Sequence, residues 1–239
     1  MNKYDFLEVE HQSSVAIVKL NRPKALNALS QALIKELGQA LDEIQGDASL
    51  KGVVISSTTE KAFSAGADTK EIDTLSVEQF QVSNRSGADL FQRIEEFPLP
   101  VAAAIRGYAL GGGFELALAC DIRFAADNAR FGLPEVTIGF LPGWGGVRRL
   151  SAIIGIGRAK YLVFSGKMMT ATDAFAEGLL AEEISGDPEQ DAVAFISSLP
   201  DKGKQSIGYV KHLFAQMVDE QDAANLETLF MASLLAKRG

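Results

Sequence analysis

Apolar positions recur along this chain with two periods, and the switches between them outline its elements. Residues 6–10 and 15–20 alternate as strands, joined through the polar His11-Gln-Ser-Ser and stopped by Asn21-Arg-Pro. After Ser30 the spacing becomes that of Leu33, Ile34, Leu37, Leu41 and Ile44, one apolar stripe on a helix that the serine caps. Gly52-Val-Val-Ile-Ser is a continuous apolar run of strand length, and Phe63-Ser-Ala-Gly-Ala-Asp reads as the loop that follows it. Ser76-Val-Glu-Gln has the form of a capping box and opens a helix to about Glu96, ended by Pro98 and Pro100. Val101-Ala-Ala-Ala-Ile is a second buried strand, running on through Arg106-Gly-Tyr-Ala-Leu into Gly111-Gly112-Gly113. Residues 114–120 are apolar on almost every side, so the helix there belongs in the interior. Residues 121–126 form a further strand. Strands thus alternate with helices to about residue 145, which predicts an α/β arrangement. From Gly146 the pattern is mostly helical, with one strand expected at residues 181–184.

Composition narrows the picture. With 239 residues, 47% hydrophobic and 23% charged, there is core material for one large domain, or for a main domain with a helical appendage. The net charge of −8 argues against nonspecific attraction to nucleic acid or anionic lipid, so an anionic ligand must be held by a local group of cations. A single cysteine, Cys120, excludes an intrachain disulfide framework and fits a reducing compartment. The first ten residues lack the basic and apolar regions of a leader, and no apolar run has the length of a bilayer span. A soluble, cytoplasmic protein with no membrane or nucleic-acid partner is expected.

The candidate chemistry centres on two glutamates in apolar surroundings, Glu115 after the triple glycine and Glu135 in Phe131-Gly-Leu-Pro-Glu-Val. A carboxylate is costly to bury, and two of them supply what general acid and general base catalysis requires. Gly112 opens a helix after a strand, where free amides and the positive end of the helix dipole favour an anion. Gly66-Ala67 forms a second glycine-centred turn. If the two turns meet, the amides of Ala67 and Gly112 can serve one oxygen, as in sites that stabilise an enolate or a tetrahedral oxyanion. Each feature has a plainer explanation beside it. The glycines suit tight packing, the loop suits an Asp cap, Glu115 suits an ion pair with Arg106 or Arg123, and Glu135 suits a surface turn. Other engines lack parts: only His11 and His212 are available, and there is no G-x-S-x-G, H-E-x-x-H, G-x-G-x-x-G or Walker loop. Cys120 reads as a small buried hydrophobe, Trp144 as packing or a pocket wall, and Lys24, Lys70, Arg148 and Arg149 as scattered surface charges.

Five blocks, in order, resemble the enoyl-CoA hydratase/isomerase (crotonase) family. They are Asn21-Arg-Pro-Lys-Ala-Leu-Asn-Ala, Phe63-Ser-Ala-Gly-Ala-Asp-Thr-Lys-Glu, Pro100-Val-Ala-Ala-Ala-Ile-Arg-Gly-Tyr-Ala-Leu-Gly-Gly-Gly-Phe-Glu-Leu-Ala, Ala129-Arg-Phe-Gly-Leu-Pro-Glu-Val and Leu141-Pro-Gly-Trp-Gly-Gly. The resemblance implies a spiral core of repeated ββα units over residues 1–185 and a helical C-terminal region over 186–239. It implies homotrimers or dimers of trimers, a coenzyme A thioester as ligand, no metal, and no cofactor beyond the substrate's own coenzyme. Ala67 and Gly112 match the positions whose amides hold the thioester oxygen, and Glu115 and Glu135 match the two acids of the hydratases. Lys24, Ala65, Asp68, Thr69 and Lys70 fall where the family holds the coenzyme.

Two departures stand out. The chain ends at Leu235-Ala-Lys-Arg-Gly239, short of the family's usual closing segment, and Val147-Arg148 replaces the common Thr-Gln. A double-bond isomerase, relying on Glu135, is the nearest alternative. Another is a non-catalytic acyl-CoA or RNA-binding member. An RNA-binding member would need a basic helix, yet residues 33–45 set Lys35 against Glu36, Asp42 and Glu43.

Overall fold

Alternating apolar residues give β1 (Leu7–Gln12) and β2 (Val15–Leu20), antiparallel and joined by a two-residue turn. The computed structural model describes residues 3–182, 184, 186–216, 228–231, 233 and 234. Helix α1 (Gln31–Gly46) starts where Ser30 Oγ accepts the Leu33 N–H at 3.3 Å, and it buries Leu33, Ile34, Leu37, Leu41 and Ile44, the predicted stripe. Strand β3 (Gly52–Ser57) then lies parallel to β2. Next come β4 (Ala62–Ser64), the single turn α2 (Thr69–Ile72) and α3 (Val77–Glu95). The capping box at the start of α3 is complete, because Ser76 Oγ accepts from Gln79 N while Gln79 Oε1 accepts from Ser76 N. The chain continues with β5 (Val101–Ile105), β6 (Tyr108–Leu110), α4 (Gly112–Ala119), β7 (Ile122–Ala125) and β8 (Arg130–Gly132). A 3-10 turn over Glu135–Ile138 follows, then α5 (Gly146–Ile154), α6 (Ile156–Ser165), β9 (Met169–Thr170), α7 (Ala171–Ala176), α8 (Pro188–Ser198) and α9 (Lys204–Gln216). Among the described residues no helix is long and apolar enough to cross a membrane.

The strands are dealt alternately to two sheets. One has the order β1-β2-β3-β5-β7, the other β4-β6-β8-β9. From β3 onward each turn of the chain adds one parallel strand to the first sheet and the next to the second. Ala102 accordingly pairs with Val54 on one side and Ile122 on the other, and Tyr108 pairs with Ala62 and Arg130. This is a spiral of ββα units. Because β4, β6 and β8 run parallel as neighbours, the loops leaving their C-terminal ends lie side by side. That geometry builds the site.

Both faces of the larger sheet are covered at its centre, which explains why β3 and β5 read as unbroken apolar runs. Ala16, Val18, Val53, Ile55, Ala103 and Ile105 face α1, α3, α4 and the smaller sheet. Val15, Ile17, Val54, Ala102, Ala104 and Phe124 face α8 through Ala192, Val193 and Ile196.

Some expectations are corrected. Residues 63 and 64, expected in a loop, belong to β4, because a fully buried Phe63 and pairing with β6 hold them in a strand. The single run from Val101 to Leu110 is broken at Gly107, whose φ of +62° turns the chain out of one sheet into the other. Among the described residues the strand expected at 181–184 does not form. Ala181 and Glu182 are bends and Ile184 is irregular, and the Ala181 N–H spends itself on a single bond to Arg123 O. Glu183 and the terminal residues 235–239 lie outside the described residues.

Candidate active site

Three of the predicted residues leave the three parallel strands of the smaller sheet. Ala67 follows β4, Gly112 follows β6 and Glu135 follows β8, while Glu115 lies one turn into α4. All four line one cavity of about 190 Å³, together with Ala65, Asp68, Thr69 and Trp144. A site at the carboxyl ends of adjacent parallel strands follows the general rule for open α/β sheets.

Ala67 and Gly112 are brought close by glycine. A Cβ on Gly112 would lie 3.3 Å from Ala67 N, and one on Gly66 would lie 3.3 Å from Gly112 N. Among the described residues neither N–H donates to a protein acceptor, and Gly112 N is one of the orphan donors at the start of α4. Gly111 has φ +51° and ψ −128°, a conformation open only to glycine, and it orients this helix start. The site therefore offers two unspent main-chain donors at one point.

Glu115 is 2% exposed. Its Oε1 accepts the Trp144 and Gly146 N–H groups, each at 2.8 Å. Burial pushes its carboxyl above the usual range, and these two amides and the Arg149 charge pull the other way. It pairs with neither Arg106, which meets Glu60 and Asp187, nor Arg123, which caps the end of α4 through Ala117 O and Cys120 O. Glu135 opens the 3-10 turn after Pro134, and both its carboxylate oxygens are out of reach of solvent without a hydrogen-bond partner. Desolvation, with the Glu115 charge adding to it, raises its carboxyl to about 7. It is no surface capping acid. A cavity with one carboxylate held by amides and a second poised near neutrality can move protons in both directions.

The coenzyme candidates separate. Ala65, Asp68 and Thr69 line the cavity, whereas Lys24 and Lys70 are exposed and outside its lining. The Asp68 carboxylate is already engaged, capping α2 through Glu71 N and accepting from Arg22 Nη2 at 2.9 Å. Cys120 is buried beside Leu116 O, with its thiol pushed up to about 12 by burial. Trp144 is both packing and wall: its indole stands edge-on to Phe91 at 5.3 Å and rests on Gly112, where a Cβ would come within 2.4 Å of the ring.

Arg149, expected as a surface charge, is 5% exposed, with Nη1 on Trp144 O at 2.7 Å and Nε and Nη2 on Glu95 Oε2 at 3.0 and 2.8 Å. Its position on the buried stripe of α5 with Leu150 draws it inward, and Glu95 neutralises it there. Arg148 shares the same carboxylate oxygen. The role of Asn27 was not evident from its motif alone. It is fully buried at φ +53°, and its Nδ2 donates to Ser57 Oγ, Ala62 O and Phe63 O, anchoring β4 beneath the Ala65–Ala67 turn.

Residues 10–232 match the profile of the enoyl-CoA hydratase/isomerase family. The chain is 40% identical over 197 residues to the short-chain-enoyl-CoA hydratase of Clostridium acetobutylicum, an overlap of 80% of this chain and 76% of that one. It is 38% identical over 187 residues to the crotonyl-CoA hydratase of Syntrophomonas wolfei, covering 78% and 71%. The crystal structure of an enoyl-CoA hydratase from Bacillus anthracis superposes with a TM-score of 0.89 at 34% identity, over 97% of this chain and 92% of the other. The spiral of ββα units is thus a crotonase fold, and the chain belongs to the enoyl-CoA hydratase/isomerase family.

Proposed function

We propose that this protein is an enoyl-CoA hydratase that adds water reversibly across the 2,3 double bond of an enoyl-CoA thioester. The observation that carries the reading is the gathering of two free amides and two differently tuned carboxylates around one cavity. The thioester oxygen sits between the Ala67 and Gly112 N–H groups. Glu115 takes a proton from water with Oε2, since Oε1 is committed to the amides of Trp144 and Gly146. The water oxygen bonds to Cβ, and the π electrons move onto the thioester oxygen as an enolate. Glu135, kept protonated by desolvation, gives its proton to Cα as the carbonyl re-forms. Each amide donor of this kind is worth about 10²–10³ in rate.

The reading needs no cofactor beyond the coenzyme that the substrate carries. The acyl group rests against Ile72, Phe80, Ile138, Phe140 and Trp144, an apolar wall that suits a short chain such as crotonyl. Ala65 and Thr69, beside the Ala67 turn, lie on the coenzyme side, with Lys24 and Lys70 reaching its phosphates from the rim. The protein works in the cytoplasm as a homotrimer or dimer of trimers.

Incubation with a panel of enoyl-CoA thioesters tests the reading. Crotonyl-CoA loses its conjugated absorbance if the protein hydrates it. Absorbance gained from a 3-enoyl-CoA without hydration would replace this reading with isomerisation, and no change in either would overturn both.

A further inference from the structure

We propose that Arg149 is a positioning residue that holds Glu115 through the turn at residues 144–146. The inference rests on the hydratase reading and adds to it a residue outside the lining of the catalytic cavity. Oε1 of Glu115 is gripped by two main-chain N–H groups, of Trp144 and Gly146, that belong to the same short turn. The turn is also held by the Trp144 indole, packed on Phe91 and Gly112, and by the Arg149 N–H on Gly145 O. Gly145 between the two donors has φ +94°, and its place leaves no room for a Cβ, which would fall 2.5 Å from Arg149 Nη1. Gly146 is equally tight, since a Cβ there would lie 2.6 Å from Glu115 Cγ.

On its carbonyl side the turn is clasped by Arg149, whose Nη1 donates to Trp144 O at 2.7 Å. The remaining donors of the guanidinium are anchored on α3, because Nε and Nη2 both meet Glu95 Oε2. A chain of contacts therefore runs from α3 through Glu95 and Arg149 to the Trp144 carbonyl, and from the Trp144 and Gly146 amides to Glu115. The guanidinium is planar and rigid, so it fixes the carbonyl's height above α3 in a way an ammonium on a flexible stem does not. It also contributes a positive charge. Among the described residues the charged groups that face Glu115 are Arg149 from α5, whose charge favours its ionised form, and Glu135 from the 3-10 turn, whose own carboxyl the Glu115 charge raises.

Arg149→Lys keeps the charge and loses the fork. The expected result is a protein whose thermal unfolding stays close to that of the wild type, with kcat for crotonyl-CoA lowered at least ~10-fold and KM within ~2-fold. The acid limb of kcat/KM moves to higher pH, because Glu115 loses amides that favour its ionised form. Glu95→Gln moves the same quantities in the same direction by less, and it decides the matter if Arg149→Lys does not fold. A folded variant with unchanged kcat, or one with lowered kcat and an unmoved acid limb, overturns the proposal. Failure of the wild-type protein to consume crotonyl-CoA would instead overturn the hydratase reading.

Discussion

Glu115 and Glu135 differ in surroundings more than in chemistry, and that difference divides their labour. Glu115 has amides on Oε1 and a nearby guanidinium, which keep an anion tolerable under burial; Glu135 has no guanidinium and no amide from another residue, and its carboxyl rises to about 7. The active form of the pair carries one proton, so its apparent titrations belong to both groups together. Hydration needs that proton on Glu135. Above pH 7 the fraction that holds it falls, and kcat/KM should decline on an alkaline limb that begins near that value. Glu115→Gln or Glu135→Gln should lower kcat by about 10²–10⁴ while the circular dichroism spectrum is retained. Near wild-type turnover of crotonyl-CoA by either variant would show that the carboxylates are not the proton carriers. At this scale the sequence is readable in part. The two acids stand out because each is charged within an apolar stretch. Arg149 does not, because its burial depends on Glu95, distant in sequence on another helix. The amides of Trp144 and Gly146 carry no side-chain signature, and only the folded chain brings them to residue 115.

At the scale of elements, the start of α4 is the most constrained part of the site. Its N-terminal turn must place the Gly112 amide beside Ala67 and still allow Gly111 its glycine-only backbone. Gly111→Ala forces an L side chain into φ +51° and sets its Cβ 3.2 Å from Glu135 Oε1. The expected cost is ~1–3 kcal/mol in denaturant unfolding, accompanied by a ~10²-fold or greater fall in kcat as the donor swings away. Unfolding and turnover like those of the wild type would mean that the backbone there is freer than its dihedrals imply. Elements with a strong local signal are legible in the sequence: the stripe of α1, the capping box of α3 and the almost wholly apolar α4 each form as expected. The short strands β4, β6 and β8 were poorly legible. Three residues hold too little pattern to show a period, and they are strands only because neighbouring turns of the spiral pair with them. The strand expected at residues 181–184 is missing among the described residues for the converse reason, since one bond from Ala181 N–H to Arg123 O builds no ladder.

For the whole molecule, the spiral leaves apolar residues outside as well as in. Phe164 is 73% exposed, and Ile156, Tyr161, Met168 and Phe175 are exposed near it along the chain. Side chains of this kind on the surface of one subunit are consistent with the proposed trimer, and sedimentation equilibrium should give the mass of three or six chains. A single-chain mass at micromolar concentration would remove that part of the proposal. The spiral has a further consequence for how such a protein can change over generations. The groups that would grip the carbonyl are peptide N–H groups, which every residue except proline possesses, and their aim is written into the path of the chain. Mutation can therefore replace either acid and redirect the reaction, while the grip on the thioester passes to the descendant almost untouched.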